Sequence, residues 1–551
     1  MKKLIALLLC VVTVFSLCAA CTAKKSLKDA DGLTDDGRVL LSIGLPTNAM
    51  ILDYDDNALT RWVEEKTGFE LQFQPFSGGS DIATQIATRV AAQEALPDVL
   101  LAISLGDDVI SRYGKDEYFL DLQDYYYNAD GTPNYEGPAK TFWERFEATF
   151  SEAEQENILR LMTEPEDGAI YCVPTLETSL IDIMDYQMFI NTKWLEECNL
   201  EKPTNLDELY NVLKTFKQKY PGCVPLYGSG TRDAILGADI INWLINNYIY
   251  FNDRKTWNVG ENGTLYAPFT TNEYREALKF INKLIDEGLM LDSVFNTKSG
   301  EMKMVITPAS GEAMVGVFGG HLTLHATQGN EVLYQYDNLA PLEGQYCVFN
   351  DNTNRRQNFI TTDCLHPDEA FELMMTLWSQ EASYRIRYGE KGVNWVDADE
   401  GAVSELGLPA TYKLLKDPIG EQNTCMWFGG VGCTLVVFSE GETAQSVGEM
   451  EPWLAYRSKL AAQSRKLFDE AAEKNNPEVI CPSLVYTEAE TEKWESVRTA
   501  CADYYKKAAT DFMTGVKDPN NNAHWEAYLK ELNKLGLEDW IALAQKAYDR
   551  Q

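Results

Sequence analysis

The side chains of this chain that could do chemistry are mainly carboxylates and aromatic rings. The sequence contains 84 acidic residues, 12 Trp and 28 Tyr, but only 4 His. It has no GxSxG, HExxH or phosphate-loop motif, so no activated nucleophile or metallohydrolase site is indicated. A glycosidase needs only two carboxylates, and no spacing singles out such a pair here. The composition favours reversible binding by aromatic faces and hydrogen-bonding groups.

Candidate ligand contacts follow from predicted strand ends and glycine-containing loops. Open parallel sheets bind ligands at the carboxyl ends of their strands, which selects Thr47, Asn48 and Ser104. Aromatic residues near Gly, Asn or Pro could offer a flat face to a ring such as a sugar. The aromatic candidates of this kind are Trp143, Trp243, Trp257, Trp395 and Trp427. Plain core packing is the alternative for each of them.

Metal sites are poorly supported by the spacing of possible ligands. His321 and His325 could share a helical face, but no third ligand follows at zinc spacing. Residues 53–57 mimic the start of a calcium loop, yet Ala58 stands where such a loop needs glycine. An acidic stretch before a helix is the preferred interpretation. We predict no metal and no other cofactor.

The cysteines beyond residue 21 form neither a zinc ribbon nor a complete disulfide framework. They are odd in number and lack CxxC spacing. We expect most of them to be buried thiols that pack as small apolar side chains. A bridge between Cys425 and Cys433 is the alternative for that pair.

The N-terminus has the three parts of a bacterial export signal. Lys2 and Lys3 precede an apolar run over residues 4–17, which is shorter than the roughly 20 residues of a membrane span. Small residues then lead to Cys21, and this arrangement resembles a lipoprotein signal. We predict a signal peptide over 1–20, lipidation with palmitate at Cys21 and a flexible tether over 21–38. Ordinary cleavage without lipidation is the alternative.

Length and charge limit the remaining possibilities. A chain of 551 residues exceeds one compact core, so two or more globular units are expected. A net charge of −36 repels nucleic acid and anionic lipid head groups. We therefore predict no nucleic-acid partner.

From residue 39 onward the pattern alternates between strands and helices. A buried run at 39–45, a helix that stops at Gly68, an alternating strand at 69–76 and a helix over 81–96 predict a doubly wound α/β sheet. The order of further short motifs resembles that of family 1 extracellular solute-binding proteins of ABC importers, the maltose-binding-like family. The motifs that carry this resemblance include Leu96-Pro97-Asp98-Val99, Tyr171-Cys172-Val173-Pro174, Lys202-Pro203-Thr204-Asn205, Gly311-Glu312-Ala313-Met314 and His366-Pro367-Asp368-Glu369-Ala370.

The resemblance implies a two-lobed fold of the periplasmic-binding-protein type II class, with crossover strands and a helical C-terminal tail. The implied segments are 39–176 and 359–393 for lobe I, and 177–358 and 394–551 for lobe II. It also implies ligand contacts at Glu177, Phe318 and His321. The implied function is a lipid-anchored receptor on the extracellular face of the cell membrane, a monomer without enzymatic activity. It would capture a solute, an oligosaccharide by resemblance, and deliver it to an ABC permease.

Two other classes stay open at this point. A surface glycan-degrading enzyme would need a carboxylate pair in the cleft. A glycan adhesin would expose a flat aromatic patch and would not close around its ligand. Turnover of a glycan would identify the enzyme, and closure of the lobes on a bound ligand would distinguish the receptor from the adhesin.

Overall fold

The computed structural model describes residues 31–551 apart from several internal segments. These are 78–80, 177–186, 229–238, 298, 321–325, 328, 350–354, 405–407, 417, 419–420, 429–442 and 446–451. The predicted signal peptide and Cys21 lie outside the described residues, and so do Glu177, His321 and Cys433.

The strands are short and mostly buried. They are β1 Leu40–Gly44, β2 Glu70–Phe73, β3 Val99–Leu100, β4 Val173–Thr175, β5 Met188–Asn191, β6 Val224–Tyr227, β7 Asn258–Val259, β8 Leu265–Tyr266, β9 Val315–Gly319, β10 Tyr336–Leu339, β11 Arg355–Ile360, β12 Trp395–Asp397 and β13 Tyr412–Leu414.

The helices alternate with these strands and then dominate the C-terminal part. They are α1 Ala58–Thr67, α2 Ile82–Ala92, α3 Asp107–Lys115, α4 Gln123–Tyr126, α5 Ala139–Thr149, α6 Glu152–Met162, α7 Thr192–Cys198, α8 Leu206–Lys219, α9 Asp239–Ile245, α10 Asn272–Asp286, α11 Ser299–Ile306, α12 Pro367–Leu377, α13 Gln380–Tyr388, α14 Pro452–Asn475, α15 Glu488–Met513, α16 Asn522–Lys534 and α17 Leu537–Asp549.

Two larger sheets organise the chain. The first has the strand order β2-β1-β3-β11-β4, with β2, β1 and β3 parallel and β11 antiparallel to both of its neighbours. The second has the order β10-β5-β9-β6, in which β9 runs parallel to β6 and antiparallel to β5. We call the first sheet and its helices the first lobe, and the second sheet and its helices the second lobe. The predicted two-lobed α/β class is confirmed.

Local sequence signals account for the element bounds near the start of each lobe. The side chain of Asn57 accepts from the N–H of Leu59 and caps α1, which ends at Gly68 with a φ of 77°. The side chain of Asn205 caps α8 by accepting from the N–H of Glu208. The helix stop at Gly68 lies where the sequence predicts it.

Each lobe has its own apolar core. The first packs β1 and β2 against α5 and α12, and the second packs β5, β6 and β9 against α10 and the C-terminal helices α15 to α17. Trp427 and Phe428, which the predicted segment bounds assign to lobe II, pack in the first core. The chain therefore returns to the first lobe once more before the C-terminal helices begin.

Among the residues that the structure describes, no helix combines the length and the apolar character needed to cross a bilayer.

Candidate functional site

A cavity of about 380 Å³ lies where the two lobes meet. Its volume is in the range of small-molecule sites, which is roughly 300–1,000 Å³. The first lobe contributes the start of α3, the loop after α6 and Arg356 of β11. The second lobe contributes residues 254–257, residues 482–486 and one face of α15. A ligand held here would contact both lobes.

The side of the cavity formed by α15 presents four residues at helical spacing. Thr491, Trp494, Glu495 and Arg498 all line the cavity and follow the i, i+3, i+4, i+7 pattern of one helix face. A capping box at the start of α15 fixes this face, because Thr487 and Glu490 bond reciprocally. The helix therefore delivers one aromatic ring and two charges to the same surface.

Aromatic rings form a continuous wall on this side. The ring centroids of Trp494 and Tyr486 are 5.3 Å apart, and both side chains are half-buried. Behind them, Trp257 and Trp540 make an edge contact at 4.8 Å and are almost fully buried. Trp494 and Tyr486 are thus the rings available to a ligand, while Trp257 and Trp540 support the wall.

The charged groups of the α15 face are arranged around Trp494. The Arg498 guanidinium carbon lies 4.6 Å from the centroid of the Trp494 ring, a cation–π geometry. The same guanidinium pairs with the Glu495 carboxylate at 3.0 Å. Its Nε atom is buried and has no hydrogen-bond partner among the residues that the structure describes.

The opposite side of the cavity carries a buried ion pair. The Arg356 guanidinium bonds to the Glu164 carboxylate, whose side chain is 4% exposed and also accepts from the Ser111 hydroxyl. Asp107 lies 3.5 Å from the same guanidinium and is itself largely exposed. Burial opposes the charged form of Arg356, but Cys172, Glu164 and Asp107 together raise the pKa of Arg356 above its ordinary value. This Arg stays charged at any physiological pH.

The start of α3 adds two more carboxylates. Asp107 and Asp108 occupy the first turn of α3, where the helix dipole favours negative charge, and both line the cavity. Carboxylates accept hydrogen bonds, while guanidinium groups donate them. The cavity therefore places Asp107 and Asp108 as acceptors on the first lobe opposite the aromatic faces and the Arg498 guanidinium on the second.

Two polar contacts join the lobes beside the cavity. Lys115 at the end of α3 pairs with Glu166 of its own lobe and, at 3.0 Å, with Glu488 at the start of α15. Arg160 of α6 donates to the carbonyl oxygen of Ser483 at 2.9 Å. These contacts hold the α15 side against the first lobe.

A buried amide ties together the strands near the crossing between lobes. Asn358 of β11 is fully buried, and its side chain donates to the carbonyl of Val173 at 2.9 Å and to Thr175 at 3.1 Å. Its Oδ1 accepts from the N–H of Ala102 at 2.9 Å. Residues on β3, β4 and β11 are thereby held in one arrangement beside Arg356.

The structure places the aromatic candidates of the sequence prediction in the cores. Trp243, Phe318, Trp395 and Trp427 are each at most 2% exposed, and none of them lines the cavity. Trp395 donates to the carbonyl of Gly389, and Trp427 donates to the hydroxyl of Thr60. Core packing satisfies these side chains without a ligand.

The polar candidates lie at or near the surface, outside the cavity lining. Thr47 and Ser104 are exposed, and Asn48 accepts from the N–H of Met50 in a local turn. Ser104 accepts from the side-chain amide of Gln357 at 2.8 Å. Beyond Ser104 the chain turns at Gly106 into α3, so the lining residues from this strand end begin two positions later, with Gly106 followed by Asp107 and Asp108.

Several lining residues were missed by the sequence reasoning. The mixed face of α15 was a detectable signal, because one aromatic and two charged residues at helical spacing are unusual for a plain tail. Arg356 also carried a signal, since a charged residue at the edge of a buried strand needs a partner. Residues 254–256 follow no pattern that would single them out, whereas Trp257 is one of the predicted aromatic candidates and does line the cavity.

The residues described here do not assemble a metal centre. Among them, no group of three or more His, Cys, Asp or Glu is placed to hold an ion. In the loop that mimics a calcium site, Asp53 accepts from the N–H groups of Asp55 and Asp56 instead.

Cys172 and Cys347 are buried, and burial raises the pKa of the Cys172 thiol to about 11. The proposed Cys425–Cys433 bridge includes a residue outside the described part.

Comparison of the sequence with characterised proteins finds solute-binding proteins. No family model matches the chain. The chain is 25% identical over 410 residues, 71% of each chain, to the fructooligosaccharide ABC transporter substrate-binding protein FusA of Streptococcus pneumoniae. It is 38% identical to lipoprotein LipO of Bacillus subtilis over 117 residues, which cover 20% of this chain and only 22% of LipO.

Comparison of the structure finds the same class of protein over nearly the whole chain. An HMO-binding ABC-transporter-associated solute-binding protein from Bifidobacterium longum infantis has a TM-score of 0.73 at 18% identity, covering 94% of this chain and 99% of that one. The complex of FusA from S. pneumoniae with kestose has a TM-score of 0.69 at 19% identity, covering 93% and 99%. These likenesses establish the fold.

Proposed function

We propose, from the premise that this chain has the fold of ABC-transporter extracellular solute-binding proteins, that it captures an oligosaccharide between its lobes and delivers it to a permease. The observation that carries the proposal is the cavity between the lobes, with the half-buried Trp494 on one side and Asp107 and Asp108 on the other. A sugar presents apolar C–H faces and hydroxyl groups, and this pairing of a ring with acceptors suits both.

The saccharide cargo is supported by the names of the relatives. FusA is named for fructooligosaccharides, and a further B. subtilis relative, YtcQ, is named as a polygalacturonan- and rhamnogalacturonan-binding protein and is 32% identical over 106 residues. YtcQ matches over only 20% of its own length. The shared class is an oligosaccharide, and the geometry of the cavity agrees with that class.

The mechanism is reversible closure of the lobes on the ligand. Ligand contacts on both sides of the cavity favour the arrangement in which the lobes meet, so binding shifts the population toward it. The Lys115–Glu488 contact belongs to that arrangement. The closed lobes would then present one surface to the permease. No covalent step is required, so the protein acts as a receptor and not as an enzyme.

The location is part of the proposal. Cys21, in a sequence typical of lipidation sites, would carry the lipid anchor, and residues 21–38 would tether the receptor to the outer face of the membrane. LipO, a relative over a limited stretch, is itself named a lipoprotein. Labelling with a palmitate analogue should modify the full-length chain and not its Cys21→Ala variant; unlabelled full-length protein would remove the anchor and leave the binding proposal intact.

Calorimetric titration with a panel of oligosaccharides tests the binding. The panel should include fructooligosaccharides, pectin fragments, alginate fragments and milk oligosaccharides, at equal chain length where available. At least one should bind with 1:1 stoichiometry, and Trp494→Ala should weaken that binding by tenfold or more. Trp62 is the matched control, because it is another half-buried Trp that lies under an Arg guanidinium, at 4.9 Å, outside the cavity. Trp62→Ala should bind normally.

Two results would overturn the proposal. If the protein cleaved a panel glycan and a carboxylate variant such as Asp108→Asn abolished cleavage, it would be an enzyme. If small-angle scattering showed no compaction with a saturating ligand, the protein would bind glycans as an adhesin does. Equal affinity of the Trp494→Ala variant and the parent would move the site away from this cavity.

A further inference from the structure

We propose that Arg550, the residue before the C-terminal one, is a positioning residue for the ligand cavity, and that it holds the aromatic wall in place through Glu490 and the carbonyl oxygen of Val485. This inference rests on the proposed function, because the wall is the surface that would receive the ligand. Arg550 itself does not line the cavity. It acts through the residues that do.

The contacts converge on one short segment. The Arg550 guanidinium binds the Glu490 carboxylate through two nitrogens, at 3.1 and 2.9 Å, in a bidentate pair. The second nitrogen also donates to the carbonyl oxygen of Val485 at 2.8 Å. Val485 and Tyr486 line the cavity, and Trp494 lies one helical turn beyond Glu490. Arg550 is thereby bonded to both ends of the wall.

Glu490 is the centre of this network. Its side chain is 4% exposed, and it also accepts from the N–H of Thr487 at 3.0 Å as part of the helix cap. Lys546 of α17 provides a second cation at 2.7 Å but is 68% exposed. A buried carboxylate bound by a fork-shaped guanidinium has a fixed orientation, which a mobile ammonium group does not provide. Arg550 is therefore the member that defines the geometry.

The network also supports a cavity-lining segment that has no regular structure of its own. Segment 482–486 contains no helix or strand, and it lines the cavity as a loop. Loops that bind ligands need support from elsewhere to hold one conformation. Arg550 contacts the loop at Val485 and the start of α15 at Glu490, so one side chain fixes the two elements relative to each other.

The test compares three variants of the full chain. Arg550→Ala removes the bidentate pair and the bond to Val485. Arg550→Lys keeps the charge and removes the fork. Gln545→Ala is the matched control, because Gln545 also anchors α17, through the N–H of Leu265 at 2.8 Å and the carbonyl of Gly263 at 3.0 Å, away from the cavity. Hydrogen exchange on the ligand-free proteins and calorimetric titration with the best panel saccharide are measured for each.

We expect Arg550→Ala to raise amide exchange in residues 482–494 and to weaken saccharide binding by about tenfold, with Arg550→Lys intermediate. Gln545→Ala should alter exchange near residues 260–266 and leave affinity unchanged. Unchanged exchange in 482–494 of Arg550→Ala, or affinity equal to that of the parent despite raised exchange, would overturn the inference. Hydrogen exchange is measured without ligand. A chain that binds no saccharide would therefore contradict the proposed function, while the effect of Arg550 on residues 482–494 could still be measured.

Discussion

The Arg498 guanidinium lies against the face of the Trp494 ring, 4.6 Å from its centroid, on the cavity-lining side of α15. The same relationship occurs in the first lobe, where Arg385 lies 4.9 Å from the centroid of Trp62. Each Arg also pairs with a Glu on its own helix, Glu495 at 3.0 Å and Glu381 at 2.9 Å. The Arg385–Trp62 stack lies away from the cavity and is therefore an internal control for the Arg498–Trp494 stack.

Replacing Arg498 by Lys should weaken saccharide binding by about tenfold, or ~1.4 kcal/mol. Lys keeps the charge but loses the planar stack on Trp494 and the Nε donor that has no partner among the described residues. The corresponding control, Arg385→Lys, loses the same stack outside the cavity and should bind normally. Calorimetry on both variants measures the difference. Equal losses of saccharide affinity in the two variants would mean that the Arg498–Trp494 stack affects only the stability of the protein and not ligand binding directly.

Glu164→Gln should destabilise the protein more than a surface substitution does. The change leaves the Arg356 guanidinium, whose side chain is 10% exposed, without its buried counter-ion. Breaking a buried pair by removing one partner costs about 3–5 kcal/mol. Glu166→Gln is the control two residues away, because its pair with Lys115 is partly exposed and such pairs contribute about 1 kcal/mol or less. Urea unfolding at pH 7 measures both, and similar losses would contradict the assigned burial of the Arg356–Glu164 pair.

The general fold was predictable from the sequence because it depends on periodic signals. The apolar run of β1, the alternation in β2 and the helix stop at Gly68 are local features, and each appears where predicted. Consistency between neighbouring elements then specified the α/β class.

The site was harder to predict because its residues meet only in the folded chain. Asp107, Arg356 and Trp494 come from segments separated by more than a hundred residues, and no local pattern links them. The rule for strand ends identified the loop after β3 but selected Ser104, three positions before the first lining carboxylate. Large aromatic residues predicted the site poorly, because Trp243 and Trp427 are buried in the apolar cores and not in the cavity.

The acid sensitivity of the tail should depend on Glu490. Burial would raise the pKa of this carboxyl, but bonds from Arg550, Lys546 and the N–H of Thr487 lower it to about 2, from an ordinary value of 4.5. A lowered pKa in the folded state means that Glu490 stabilises the protein above about pH 5 and that this stabilisation is lost as the pH falls toward 2. Glu490→Gln should therefore be less stable than the parent at pH 7 and equal to it near pH 2.

Unfolding in urea at several pH values tests this expectation. Glu531→Gln is the control, because the Glu531 pair with Lys534 lies on the surface of α16. Its stability difference from the parent should be small at every pH. A Glu490→Gln difference that stayed constant from pH 7 to pH 2 would contradict the assigned network.

Lys115→Met should weaken ligand binding modestly by favouring separated lobes. Its contact with Glu488 at 3.0 Å joins the lobes, yet both groups are partly exposed, so the pair contributes about 0.2–1 kcal/mol. Affinity should fall by at most about fivefold, and the ligand-free protein should have a slightly larger radius of gyration. Lys140→Met removes a pair within α5 and should change neither quantity. A loss of a hundredfold would place Lys115 in direct contact with the ligand.

Trp427→Phe distinguishes a core residue from a ligand contact. Trp427 is fully buried, lies 5.3 Å from Phe73 in an edge contact, and donates its indole N–H to the Thr60 hydroxyl at 2.8 Å. Phe keeps most of the volume, so the loss is the hydrogen bond and a small void, which together cost about 1–3 kcal/mol of unfolding free energy. Saccharide affinity of the folded protein should not change.

Trp494→Phe should show the reverse, with weaker binding and stability close to that of the parent, because its ring is half-buried at the cavity. If Trp427→Phe lost affinity without losing stability, the aromatic contact with the ligand would lie in the first lobe and not on α15.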